Sequence, residues 1–232
     1  MQRPDKLFDR EREWATLSRF LERGAPGLAI VRGRRRHGKS ALLRALCDVS
    51  GAFYYQAIRG VPVEQRRDLA RAWQRHVGGP EPAFATWDET ISALLQLDTP
   101  AVVIDELPYL TESSPELESV IQRCLDQRRR DSTGPALVLC GSARAIMTRL
   151  LVGEAPLRGR AQLEIDIAPF DYRDVASFTK LAPPTAFAVH AVVGGVPGYL
   201  VDLLDRTYPR GPEDVDRWAD RGRSVATPTA DP

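Results

Sequence analysis

One run of residues carries the densest chemistry in the chain. Gly33-Arg34-Arg35-Arg36-His37-Gly38-Lys39-Ser40 fits G-x-x-x-x-G-K-[ST] without a mismatch, the pattern of a loop that cradles phosphate. Peptide N–H groups of such a loop point at phosphate oxygens, and the helix that follows favours negative charge at its start. Lys39 would reach the β- and γ-phosphates of a nucleotide, and the Ser40 hydroxyl would ligate Mg²⁺. Gly33 through Ala41 is the expected phosphate-contacting set. The setting agrees with the motif. Leu28-Ala29-Ile30-Val31 reads as a buried strand before it, and Ala41 to Leu46 as a helix packed on a sheet after it. A chance match on a surface turn is the plain alternative, and that setting argues against it.

Two acids and a serine complete the candidate site. Ala101-Val102-Val103-Ile104 is short, apolar and β-branched, and it ends in Asp105-Glu106. Such a run reads as a central strand buried on both faces. Asp105 fits an acid that holds Mg²⁺, and Glu106 a base that orients and polarises an attacking water. The bland reading is a solvated pair of acids at a strand end. Ala136 to Cys140 is a further strand running into Gly141-Ser142. Ser142 could sit beside the γ-phosphate as a sensor of nucleotide state, or cap the helix from Ala143 onward, and the two roles are compatible.

The elements that must position these groups alternate. Trp14, Leu17, Phe20 and Leu21 mark a first helix closed by Gly24 and Pro26. Ala52 to Tyr55 is a second strand. Leu69, Ala72, Trp73 and His76 mark a helix, and Thr86 with Glu89 a capping box before another. Ser114 as cap and Pro115 at the first position open a helix carrying Leu117, Val120, Ile121, Cys124 and Leu125; Arg128-Arg129-Arg130 reads as its solvated end. Gln162 to Ile167 is a fifth strand. The expectation is an α/β fold: a mainly parallel five-stranded sheet sandwiched by helices, with Gly33, Asp105 and Ser142 together at the carboxyl ends of strands. After Pro169 only short helices follow, opened by Asp171 and by Pro183-Pro184, with a sharp turn at Gly194-Gly195-Val196-Pro197-Gly198 and a third helix through Leu204. The expected division is 1–168 as the nucleotide-binding domain, 169–220 as a helical lid and 221–232 as a disordered tail.

Composition narrows the classes. A chain of 232 residues, 43% hydrophobic, has material for one α/β domain and a smaller module. A net charge of +1 gives no global field toward nucleic acid or membrane. No apolar run spans a bilayer, and Met1 to Lys6 lacks a signal-peptide core. Cys47, Cys124 and Cys140 read as buried small hydrophobes in a reducing compartment, without metal spacing. A cytoplasmic protein is the inference.

The order of motifs resembles the archaeal-type ATPases of the STAND branch, close to the AAA+ proteins. The likeness rests on FDRERE at Phe8–Glu13, GRRRHGKS, VIDELPYL at Val103–Leu110, LCGSARAIM at Leu139–Met147, PLRGRAQLEIDIAPF at Pro156–Phe170 and GGVPGYL at Gly194–Leu200. It covers about residues 7 to 205. The resemblance implies ATP and Mg²⁺ as ligands. It also implies that Phe8 to Arg12, Arg10 included, wraps adenine and ribose, and that Pro197 touches the base from the lid. Arg160 would approach the γ-phosphate of its own or a neighbouring subunit; its bland reading is a surface charge. Many relatives have Gly where this chain has Asp9, and Tyr where it has Arg158. Relatives often continue into a winged helix and a further domain, so a truncated or split member is expected, with another protein or the missing module as partner and nucleotide-dependent self-association possible.

The leading functional expectation is a slow, Mg-dependent ATP hydrolase acting as a nucleotide-driven switch, with ATP between sheet edge and lid. A nucleotide-dependent, replication-initiator-like DNA-associated protein is the alternative, although neither a winged helix nor a basic stripe is evident. A truncated binder that holds ATP without hydrolysis is another. A small-molecule kinase fits less well: Phe53 to Gln56 offers no acceptor-binding acid, and Asp171 to Leu204 holds one arginine, Arg173.

Overall fold

The computed structural model describes residues 1–131, 134–203 and 208–226, with side chains at all of these except 129–131, 202–203 and 221–226. By contacts the chain divides into two compact units: Met1–Arg34 with Lys39–Ile167, and Arg35–Gly38 with Ala168–Pro232.

In the first unit the elements run α1 (Glu11–Glu22), β1 (Leu28–Arg32), α2 (Lys39–Ser50), β2 (Phe53–Gln56), α3 (Pro62–Val77), α4 (Trp87–Leu94), β3 (Ala101–Asp105), α5 (Pro108–Ser113), α6 (Leu117–Asp131), β4 (Ala136–Gly141), α7 (Arg144–Arg149) and β5 (Ala161–Asp166). The five strands form one sheet in the order β2-β3-β4-β1-β5, every pair parallel. The expected α/β sheet is therefore present.

Alternation along each strand divides two cores. Leu28 and Ile30 of β1, Val102 and Ile104 of β3, and Leu137 and Leu139 of β4 point to the face covered by α3 to α7, with Leu69, Ile91, Ile121 and Met147 packed there. Ala29 and Val31, Ala101 and Val103, and Val138 and Cys140 point to the opposite face, against Leu17 and Phe20 of α1 and Leu42, Leu43 and Leu46 of α2. Strands covered on both sides need no polar positions, which is why they read as unbroken apolar runs.

Details differ from the sequence reading. Thr86 caps α4, accepting from the Glu89 N–H at 3.2 Å, but the Glu89 carboxylate reaches back to the Ala85 N–H at 2.8 Å. Ser114 spends its hydroxyl as acceptor for the Trp87 indole N–H, at 2.7 Å, instead of capping α6. The short α5, begun by Pro108, was not expected. Of the arginine triplet, Arg128 bonds the Pro135 carbonyl at 3.1 Å, so it is tied back to the chain at this point; the side chains of Arg129 and Arg130 lie outside those described.

The second unit holds α8 (Tyr172–Thr179), α9 (Pro183–Val193), one π-helical turn at Tyr199–Leu203, a 3₁₀ turn at Pro212–Asp214 and α10 (Val215–Ala226). Asp171 caps α8 through a reciprocal box with Asp174. Phe170, Val175, Ala186, Val189, Leu200, Val215 and Trp218 are buried. Two expectations change here. The segment after the glycine turn winds as a π-turn at Tyr199–Leu203 instead of an ordinary helix, with Leu204 outside the described residues. Helix α10 continues past Arg221, where the sequence reading starts a disordered tail. The apolar pair Val215 and Trp218, at i and i+3, anchors it; residues 227–232 are not described.

Gly195 is held at φ +66°, and a Cβ there would lie 2.0 Å from the Phe170 carbonyl oxygen. The Phe170 N–H donates to the Gly195 carbonyl at 2.9 Å, so neither strand of this contact yields easily. Gly195→Ala is expected to destabilise the chain by about 2 kcal/mol or more, from left-handed strain plus the clash. Chemical denaturation followed by circular dichroism measures it, and an unchanged midpoint would show that the turn relaxes.

Candidate functional site

The loop follows β1 directly, and α2 begins at Lys39, so the strand–loop–helix geometry is in place. Gly33 is buried, and a Cβ there would meet the Ile167 carbonyl oxygen at 2.6 Å. A side chain at this position would push the loop off the strand, which explains the first glycine. Gly38 takes φ +89°, a backbone state that side chains rarely adopt. Lys39 is 4% exposed, and its ammonium donates to the Arg34 carbonyl at 3.0 Å, lying across the loop. Arg34, Arg35, Arg36 and Ala41 are exposed, whereas His37 is buried.

The parallel sheet brings Asp105, Glu106 and Ser142 to the edge where the loop leaves β1. Asp105 is fully buried. Its Oδ2 accepts from the Ser40 hydroxyl at 2.6 Å and from the Tyr54 phenol at 2.7 Å, and its Oδ1 from the Glu106 N–H at 3.0 Å. Glu106 stands at φ +56°, left-handed for a residue with a side chain. Its Oε2 accepts from both the Ser142 N–H, at 3.1 Å, and the Ser142 hydroxyl, at 2.9 Å. Backbone strain of this kind collects where a side chain must be aimed. Ser142 therefore serves Glu106. The cap expected of it is not made: the N-cap of α7 is Ala143, without a side-chain bond.

Two neighbours of Asp105 were not singled out as site residues. Tyr54, on β2, is pushed well above the usual phenol range, first by burial and then by Asp105. Cys140 is buried as expected. Its thiol also lies against Asp105, and burial followed by that carboxylate raises it far above a free thiol, while Lys39 lowers it. What brings Tyr54 there is its register: β2 pairs β3 with Tyr54 opposite Val103 and Gln56 opposite Asp105, one strand away from the acid.

The donor set suits a hard divalent cation. A hydroxyl and a carboxylate in mutual contact are oxygen ligands of the type Mg²⁺ takes when substrate phosphates supply the rest. Among the described residues no group of three or more His, Cys, Asp or Glu converges on a metal position.

Arg160 is not brought to this edge. It precedes β5, level with Leu28 at the start of β1, and so lies at the amino ends of the parallel strands. Its guanidinium holds Asp126 of α6 by two bonds, at 2.9 and 2.7 Å. Reaching its own γ-phosphate from there would require crossing the sheet. Arg10 is buried and ion-paired with Asp9 and Glu13. Asp9 and Arg10 both adopt positive φ, 54° and 76°. Positive φ is the region that favours glycine, so both side chains are held there at a conformational cost.

Within the second unit the loop tip meets the glycine turn. The Gly198 N–H donates to the Arg36 carbonyl at 3.0 Å, and the Arg36 guanidinium lies 5.6 Å from the centre of the Tyr199 ring. A Cβ on Gly198 would stand 2.6 Å from the Arg36 Cβ. Among the described residues no helix is long and apolar enough to cross a membrane.

Comparison with known proteins agrees with this geometry. An uncharacterized protein of Methanocaldococcus jannaschii is 25% identical over 213 residues, which cover 88% of this chain and 47% of that protein, so the chain spans about half its length. Among solved structures, the Walker-type ATPase of Pyrococcus abyssi superposes with a TM-score of 0.68 at 22% identity, over 97% of this chain and 73% of the other. The ORC2 protein of Aeropyrum pernix, in ADPNP–ADP complexes, gives 0.67 at 14%, over 98% and 71%. Aeropyrum pernix ORC1, in complex with DNA, gives 0.63 at 19%, over 95% and 66%. At these identities the structures attest to the fold alone, a parallel sheet sandwiched by helices. The model of a family described as an ATPase domain predominantly from Archaea matches residues 7–203, and the chain belongs to that family.

Proposed function

We propose that this ATPase-family chain is a slow, Mg²⁺-dependent ATP hydrolase working as a nucleotide-driven switch of the STAND kind. The observation that carries the hydrolase reading is the acid pair at the end of β3, with Asp105 buried and Glu106 partly exposed. Asp105 is bonded to the loop's Ser40, and Glu106 is aimed by Ser142 from the neighbouring strand. Gly33–Ala41 bind the phosphates, with Lys39 neutralising charge on the β- and γ-groups. Ser40 and Asp105 would hold Mg²⁺, which when bound supplies charge neutralisation on the phosphate oxygens. Glu106 orients and polarises the attacking water. Phe8, Arg10 and Pro197 remain the proposed adenosine contacts, and Arg160 a proposed contact to a neighbouring copy only. Catalysis here is positioning and electrostatics.

The switch reading rests on Arg36. Its carbonyl bonds Gly198, and its side chain covers Tyr199, so a loop that tightens on phosphate pulls on the glycine turn. Saturating Mg·ATP is expected to slow amide exchange at residues 194–200 together with 33–40. Hydrogen exchange with mass spectrometry reads both. Protection confined to 33–40 would make the turn a fixed scaffold and the chain no switch.

DNA association is the second reading, favoured only by the likeness to Aeropyrum pernix ORC1 in complex with DNA. The net charge of +1 weighs against it.

A further inference from the structure

We infer that Tyr54 is a positioning residue for the cation site: it locks the Asp105 carboxylate so that Ser40 keeps its lone pairs free for Mg²⁺. The inference rests on the reading of Ser40 and Asp105 as the pair that holds the cation. Tyr54 touches neither nucleotide nor metal in this scheme and acts through Asp105 alone.

The geometry is a convergence of two hydroxyls on one oxygen. Ser40 Oγ and Tyr54 Oη both donate to Asp105 Oδ2, at 2.6 and 2.7 Å. A serine hydroxyl has one proton and two lone pairs. Spending that proton on Oδ2 turns the lone pairs away from the carboxylate, the orientation a hydroxyl ligand needs. The arrangement lasts only while Oδ2 stays in place. Glu106 N–H holds the other oxygen at 3.0 Å, and the Cys140 thiol, a weak donor, lies against the same carboxylate; these contacts leave Oδ2 room to pivot about Oδ1. The Tyr54 phenol removes the pivot, because Tyr54 comes from β2, a different direction from Ser40 on α2.

Tyr54 is itself braced. Arg44, one turn along α2 from Ser40, places its guanidinium carbon 4.4 Å from the centre of the Tyr54 ring. The same arginine donates to the Gln56 carboxamide oxygen at 2.6 Å. A cation on an aromatic face is attracted to it and restricts the ring. The helix that carries Ser40 thus also carries the clamp on the tyrosine that fixes Ser40's partner. A phenylalanine would fill the same space on a half-buried strand, so packing alone does not call for the hydroxyl.

Titration of ATP into Tyr54→Phe, Asp105→Asn and the unaltered chain, at a series of Mg²⁺ concentrations and in EDTA, tests this by calorimetry. In the unaltered chain Mg²⁺ is expected to strengthen ATP binding, and Asp105→Asn to remove that gain. Tyr54→Phe is expected to bind ATP in EDTA as the unaltered chain does, but to need about tenfold more Mg²⁺ for half of the gain. Arg44→Gln should shift the Mg²⁺ requirement the same way by a smaller factor, with the phenol retained. A Tyr54→Phe curve matching the unaltered chain, while Asp105→Asn loses the gain, overturns the role of Tyr54 and leaves the metal pair standing. Equal weakening in EDTA and in Mg²⁺ overturns it as well, because it marks a packing role. An Asp105→Asn variant with the full Mg²⁺ gain overturns the metal pair, and the inference with it.

Discussion

Lys39→Ala is expected to lower the affinity for ATP by roughly ten- to a hundredfold. The ammonium lies across the loop on the Arg34 carbonyl at 3.0 Å and is almost wholly buried. A charge-assisted hydrogen bond is worth about 1.5–3 kcal/mol, and each 1.4 kcal/mol is a factor of about ten. The remaining contributors are loop N–H groups, which the substitution leaves in place, so binding weakens without the fold being lost. Calorimetry with ATP and with ADP separates the contributions: the loss should be larger for ATP, because Lys39 also meets the γ-phosphate. Equal affinities for the variant and the unaltered chain would remove the loop as the nucleotide site.

The loop was legible because its residue types and their spacing form one contiguous pattern. Gly33 is required because a Cβ there would lie 2.6 Å from the Ile167 carbonyl oxygen, Gly38 by φ +89°, and Lys39-Ser40 by the chemistry of phosphate and cation. The sheet was legible because strands covered on both faces are written as short apolar runs, Val102 to Ile104 and Leu137 to Leu139 among them. That Asp105 and Ser142 share an edge then follows from parallel strands and right-handed connections, without knowledge of any distance.

What the sequence hid depends on pairings across the fold. Whether Ser142 caps a helix or aims Glu106 is decided by the neighbour relation of β3 and β4, because both roles use the same hydroxyl. Tyr54 reads as an ordinary strand aromatic until β2 is known to lie beside β3. Arg160 sits in a motif that suggests catalysis, yet its place at the start of a parallel strand puts it at the far edge, where Asp126 holds it. Ser114 had the right neighbour in Pro115 for a cap, but Trp87, distant in sequence, takes its oxygen. Helix α10 went unread because its apolar anchors, Val215 and Trp218, stand among charged residues and run into a tail rich in Ser, Thr and Pro.

Glu106→Gln is expected to leave Mg·ATP binding within about twofold of the unaltered chain while lowering turnover by about a hundredfold or more, the range lost with a positioned general base. Geometry favours a clean substitution. The two bonds from Ser142 fall on a single oxygen, Oε2, and a carboxamide keeps one oxygen to accept both. The left-handed backbone at φ +56° is as acceptable to Gln as to Glu. Among the described residues Glu106 Oε1 makes no hydrogen bond to protein, so this is the oxygen left to face water, and an amide nitrogen placed there cannot accept a proton. Single-turnover measurement at saturating ATP isolates the chemical step from binding and release. Turnover per bound ATP that matches the unaltered chain would make the Glu106–Ser142 contact structural, a brace between β3 and β4. Should the unaltered chain bind Mg·ATP with no turnover at all, the same contact holds Glu106 away from catalysis, and the chain is a nucleotide binder that responds to ATP without consuming it.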